Sequence, residues 1–145
     1  MVLHMSESES WLPIGSVVHV VGNEGLYFII GYMRVATDGR LWDYVARVYP
    51  MGYMGPNTDM FCDRDVIDRV YYLGYQDETW DTLKSQLIAS EAPYGKIRKL
   101  MARGMSFEDA VIQASRNGGI SPLVFFDENG KSLVDGAGLA VGANA

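Results

Sequence analysis

The chain has 145 residues, 48% of them hydrophobic and 12% aromatic, which is enough to pack one domain or one small domain with an appendage and excludes wholesale disorder. Its formal net charge of −6 repels a phosphate backbone, so no nucleic-acid partner is expected. A single cysteine, Cys62, cannot form an internal disulfide, the first ten residues lack a basic and apolar leader, and no stretch approaches the roughly 18–20 apolar residues of a membrane span; a cytoplasmic protein is expected.

Residues 1–10 are rich in Ser and Glu and read as a disordered leader. Order is expected from Trp11-Leu12-Pro13-Ile14-Gly15. Val17-Val18-His19-Val20-Val21 is β-branched and bounded by glycines, the signal of a strand. After the turn Gly22-Asn23-Glu24-Gly25, Leu26 to Val35 reads as a second strand with a bend or bulge at Gly31. Asp38-Gly39 reads as a hairpin turn, because both residues tolerate positive φ. Trp42 to Val48 follows as a third strand, stopped by Pro50. Strands this close in sequence pair antiparallel, since a parallel crossover needs a dozen or more residues. Met60-Phe61-Cys62 is a short strand, Asp63 caps a single helical turn, and Arg69 to Leu73 closes the set. The pattern predicts a small antiparallel β-barrel-like, SH3-like domain over residues 11–75.

A helical extension with a hairpin is predicted over residues 76–135. Asp77 caps a first helix whose buried face carries Trp80, Leu83, Leu87 and Ile88. Pro93 and Gly95 break it. Lys96 to Arg103 forms a second short helix stopped at Gly104, with Lys96, Arg98, Lys99 and Arg103 as a solvated face. Ser106 caps a third, buried through Phe107, Ala110, Val111 and Ala114. Leu123 to Val134 reads as a C-terminal hairpin, and residues 136–145 as a flexible tail. The fold class is α+β.

Reactive constellations are scarce. A hydrolase reading would pair Cys62 with His19, but a cysteine on a short apolar segment is more often a small core residue. His19 lies in a Val-rich strand and reads as structural. Asp59, Asp63, Asp65 and Asp68 invite a metal, although capping and a solvated turn explain them more simply. Gly22-Asn23-Glu24-Gly25 and Gly52-Tyr53-Met54-Gly55 follow neither phosphate-loop spacing. No enzyme, no cofactor and no metal is expected.

The informative stretch runs from Trp42 to Pro56. Its tyrosines, with Tyr71, Tyr72 and Tyr75, exceed what so small a domain can bury. Either the rings wrap a thin core with their hydroxyls at the surface, or they form a face for a protein or peptide. The contact residues expected are Tyr44, Tyr49, Tyr53, Met54 and Tyr75, on a loop shaped by Gly52, Gly55 and Pro56.

Three stretches carry a resemblance: Leu12-Pro13-Ile14-Gly15-Ser16-Val17-Val18, Tyr49-Pro50-Met51-Gly52-Tyr53-Met54-Gly55-Pro56, and Asp65-Val66-Ile67-Asp68 with Val70 and Gly74-Tyr75. As a set, spanning residues 12–75, they resemble a family of Gram-positive bacteria catalogued as domain of unknown function number 4176, whose members often occur near type VII secretion genes of the WXG100 and LXG kinds. The resemblance implies a chaperone-like or adaptor role in that system, with a secretion substrate or a toxin as partner. It carries over no catalytic residue. Trp11, Trp42 and Trp80 lack the Gly two positions on, and no Tyr is followed four residues later by an acid, as secreted WXG100 proteins would require; action inside the cell is implied. An immunity protein neutralising a cognate toxin is the second reading, since an acidic surface suits a basic nuclease groove.

Overall fold

The hairpin at Asp38-Gly39 shows how local sequence builds the sheet. The Gly39 amide donates to the Ala36 carbonyl at 2.9 Å, the Ala36 amide to Arg40 at 2.8 Å, and Asp38 Oδ1 accepts from the Arg40 amide at 2.8 Å. Gly39 is in the left-handed region at φ 81°. This turn joins strand β3 (Leu26–Val35) to β4 (Leu41–Tyr49). The computed structural model describes residues 3–4 and 11–115. Its other strands are β1 (Leu3–His4), β2 (Val17–Val20), β5 (Met60–Cys62) and β6 (Ile67–Tyr72), and its helices α1 (Glu78–Ala102) and α2 (Phe107–Ser115). The α+β class expected from the sequence is present. The leader apart from β1, the hairpin over 123–134 and the tail over 136–145 lie outside the described residues.

The antiparallel sheet runs β1-β6-β2-β3-β4-β5. The expected SH3-like barrel does not close. Strand β5 has three residues and pairs with Tyr44, Val45 and Ala46 of β4, while β6 pairs with β2. Between them the 3₁₀ turn Arg64–Val66 spans the gap. The Arg64 amide donates to Asp43 Oδ2 at 2.8 Å, and the Val21 amide to the Val66 carbonyl at 2.9 Å. A turn thus ties β4 to the end of β2 where a barrel would have a ladder. Asp63 precedes this turn without capping it; its carboxylate accepts the Asp43 amide instead, at 3.2 Å.

The chain divides into two units, Met1–Met33 with Trp42–Thr82, and Arg34–Leu41 with Leu83–Ala145. In the first, Trp11 meets Tyr32 and Tyr44 edge-on at 6.0 and 5.5 Å, and Tyr32 stacks on Trp80 at 6.0 Å. Such pairs contribute about 0.5–1.5 kcal/mol beyond the area they bury. Strand β3 loses its in-out alternation across Gly31, where buried Ile29 and Tyr32 are three residues apart, and again at Met33, at φ 47° and buried beside Tyr32.

The second unit corrects the prediction of three helices. Pro93 lies inside a continuous 25-residue α1. Proline removes one hydrogen bond and crowds the preceding turn, at a cost of about 3 kcal/mol. Leu87, Ser90, Tyr94 and Ile97 nevertheless form one buried stripe through it. Burying each large apolar side chain contributes roughly 1.5–3 kcal/mol, so the stripe outweighs the breaker. Ser90 satisfies its hydroxyl on the Gln86 carbonyl at 2.7 Å. Ile88, expected on the buried face, is exposed. The helix ends with the Gly104 amide on Met101 at 3.0 Å and the Met105 amide on Leu100 at 3.2 Å, a left-handed C-terminal closure. Asp77 and Ser106 cap α1 and α2 through the Trp80 and Asp109 amides, as the sequence indicates. Lys96, Lys99 and Arg103 are exposed.

Candidate functional site

Strand β2 alternates half-buried and buried residues, so Val18 and Val20 enter the core while Val17 and His19 face outward. Register extends that outward face: Val17 stands opposite Phe28 and Tyr72, His19 opposite Leu26 and Arg69. Two irregularities interrupt the β2–β6 ladder, between Val17 and Val18 and between His19 and Val20. Each inserts an extra β6 residue, and a bulge of this kind re-aims side chains. In consequence Tyr71 and Tyr72 are both exposed, where strict alternation would bury one of them.

These residues line an open groove of about 510 Å³, with Val17, Leu26 and Phe28 half-buried and Tyr49, Tyr71 and Tyr72 exposed, beside Gly15. The loop after β4 adjoins it. The Gly52 amide donates to the Val48 carbonyl at 2.7 Å, and a side chain added at Gly52 would lie 3.9 Å from the Phe28 ring. Gly52 and Gly55 sit at φ 77° and 108°, which explains why the loop needs glycine at both. Tyr53 is covered by Arg47, whose guanidinium lies 4.8 Å from the ring centroid and donates to Asp59 at 2.8 Å. Thr58 Oγ1 donates to the Gly55 carbonyl at 2.7 Å. Met51, Tyr53 and Met54 are exposed on this braced loop, as is Pro56.

Of the expected contact residues, Tyr49 lines the groove at 49% exposure, and Tyr53 and Met54 stand exposed on the adjoining loop. Tyr75 is 79% exposed but lies beyond the end of β6 and is not among the lining residues. Tyr44 must be corrected: it is wholly buried. Its hydroxyl accepts the Leu12 amide at 2.8 Å, while the Tyr32 hydroxyl donates to the Leu12 carbonyl at 2.5 Å. Burial pushes both phenols far above their ordinary range, so they stay protonated. Tyr44→Phe leaves the buried Leu12 amide without an acceptor. It should cost about 1–3 kcal/mol in urea unfolding.

Sequence reasoning missed Val17, Leu26 and Phe28, and gathered Tyr71 and Tyr72 without assigning them a contact role. A signal existed. In Ile67-Asp68-Arg69-Val70 the apolar residues are three apart, a spacing that a regular strand with period two does not give.

The residues considered for chemistry are dispersed. Cys62 is buried on β5, and burial, then the neighbouring Asp63, Asp43 and Asp65 carboxylates, push its thiol up to about 12, so it stays protonated at neutral pH. His19 lies on β2, with β3 and β4 between the two strands, and is bonded to Asp68 at 2.6 Å. The two do not form a dyad. Asp59, Asp63 and Asp68 are directed to Arg47, Asp43 and His19, and no cluster able to hold a metal occurs among the described residues. No helix among them is long and apolar enough to cross a membrane.

The model of a family described as a domain of unknown function (DUF4176) matches residues 11–83, a stretch that contains every residue of the groove. No curated protein and no solved structure matches the chain.

Proposed function

The chain belongs to the DUF4176 family, and from that premise we propose that it is a non-catalytic protein-binding adaptor, a chaperone-like accessory of bacterial type VII secretion that acts in the cytoplasm. One observation carries the reading: an open, aromatic-lined groove on the outer sheet face, flanked by a braced loop of exposed Met and Tyr. Tyr offers a large apolar face at low entropic cost and a hydroxyl for a partner's backbone, which is why it concentrates where proteins meet. The resemblance to a family found near type VII genes supports a secretion substrate or toxin as the partner.

The net charge of −6 favours a second reading, an immunity protein that covers a basic toxin surface. Co-purification from the native host, followed by mass spectrometry, tests both. A Tyr49→Ser/Tyr72→Ser double variant should lose the captured partner, with affinity falling roughly 30-fold or more, since truncating one anchoring aromatic costs about 1–2 kcal/mol or more. Both side chains are exposed, so thermal unfolding should hardly move. Unchanged capture by the double variant would remove the groove from consideration. Co-expression then separates the roles: restored export marks an adaptor, and stoichiometric neutralisation of the captured protein marks immunity.

A further inference from the structure

We propose that His19 is a proton-operated latch that holds the Gly22–Gly25 turn to strand β6 and releases it when the ring loses a proton to solvent. The geometry around the imidazole carries the argument. Nδ1 lies 2.6 Å from Asp68 Oδ1, and Nε2 lies 2.7 Å from the Asn23 carbonyl oxygen. A carboxylate and a carbonyl can only accept. Both ring nitrogens therefore donate, and a ring with two N–H groups is the imidazolium. One charged side chain thus ties β6 to the turn leading into β3.

Removal of the proton leaves one N–H between two acceptors. The charge-assisted bond to the carboxylate is the stronger, so the neutral ring keeps its proton on Nδ1, toward Asp68. Nε2 then presents a lone pair to the Asn23 carbonyl, and that contact opens. The turn retains the Asn23 amide on the Val20 carbonyl at 3.1 Å and the Tyr27 hydroxyl on Asn23 Oδ1 at 3.3 Å, so it loosens without unfolding.

Among the described residues, the charged groups that act on the ring, Asp68 and Arg69, come from β6. Asp68 favours the imidazolium, and Arg69, opposite His19 in register, opposes it while bonding Tyr71. The β3 residue in register is the apolar Leu26, and Glu24 of the turn is exposed. Across β6, His4 of β1 stands opposite Arg69 in register. The hydrogen bond to Asp68 raises His19 above its ordinary 6.5 despite some desolvation, and the same bond lowers Asp68 below 3.8. The stabilisation from His19 is therefore complete below 6.5 and fades as pH rises through the raised value. That from Asp68 is complete above 3.8 and fades as pH falls through the lowered one. The latch is fully closed between those ordinary values and opens on the alkaline side.

Leu26 also lines the groove, so release loosens the turn end of the binding surface; this consequence rests on the adaptor reading, while the latch itself does not. ¹⁵N-histidine NMR of the full chain from pH 4 to 9 tests the latch, with His19→Gln used to assign the ring against His4. The His19 midpoint should lie above 6.5 and fall in Asp68→Asn, and the neutral ring should carry its proton on Nδ1. Through that midpoint the Asn23 amide should exchange at least about threefold faster, relative to the Gly39 amide of the other turn. A neutral ring protonated on Nε2, a midpoint unmoved by Asp68→Asn, or constant Asn23 protection would each overturn it. For the groove, the partner captured by wild type should bind more weakly above the midpoint. A working latch with pH-indifferent binding removes only the regulation, and capture that does not depend on Tyr49 and Tyr72 removes the groove reading alone.

Discussion

Trp11→Ala should destabilise the chain by about 3–5 kcal/mol, the range for emptying a buried aromatic site. Trp11 is 2% exposed although it precedes every strand of the matched region. It touches Tyr32 and Tyr44 edge-on, and Arg64 lies over its ring at 4.1 Å from the centroid. Alanine removes all three contacts and opens a cavity that the sheet cannot collapse to fill, because Leu12 is held by two tyrosine hydroxyls. In urea the midpoint should fall with little change in slope. Trp11→Phe should recover about half of the loss. A cost below about 1 kcal/mol for the alanine variant would show that the residue does not anchor the core.

Gly74→Ala should cost about 3 kcal/mol or more, from one added methyl group. Gly74 follows β6 and packs backbone to backbone against Ile14–Ser16. A Cβ there would sit inside the Ile14 carbonyl oxygen, 2.8 Å from its carbon and 3.0 Å from the Ser16 nitrogen. Neither neighbour can rotate away as a side chain would. Relief by moving the backbone would strip the buried Gly74 amide from Ser16 Oγ, at 3.0 Å. Overpacking against well-packed neighbours costs about 1–3 kcal/mol, and an amide left unpaired adds to it. At roughly 2–4 °C per kcal/mol for a chain near this size, the midpoint should drop by about 6–12 °C. Gly25→Ala, where an added Cβ meets nothing within 4 Å, should be nearly neutral and controls for the change of residue type.

Local chemistry was legible in the sequence, and tertiary decisions were not. The Asp38-Gly39 turn, the Asp77 and Ser106 caps and the stop at Gly104 each depend on a few adjacent residues, and each is where the reading put it. Pro93 reads as a breaker because its cost is local, whereas the compensating burial of Leu87, Tyr94 and Ile97 arises only when the unit is folded. The open sheet is hidden for a similar reason: strand count suggests closure, but a three-residue β5 and a 3₁₀ turn prevent it. The burial of Tyr44 is not legible in the sequence because Asp43 to Ala46 are buried in succession, so no alternating pattern tells the inward ring from the outward one. The groove was half legible. An excess of tyrosine was plain, but their convergence depends on two bulges in β6 that bring Tyr71 and Tyr72 to one side.

The grip on Leu12 has a consequence for how the domain can be cut. A chain begun at Val17 would keep all five principal strands, yet it would leave the Tyr32 and Tyr44 hydroxyls buried with their shared backbone partner gone. The irregular segment from Trp11 to Ile14 therefore behaves as a keystone rather than a lead-in. Trimming there would be felt across the aromatic core, two strands away from the cut.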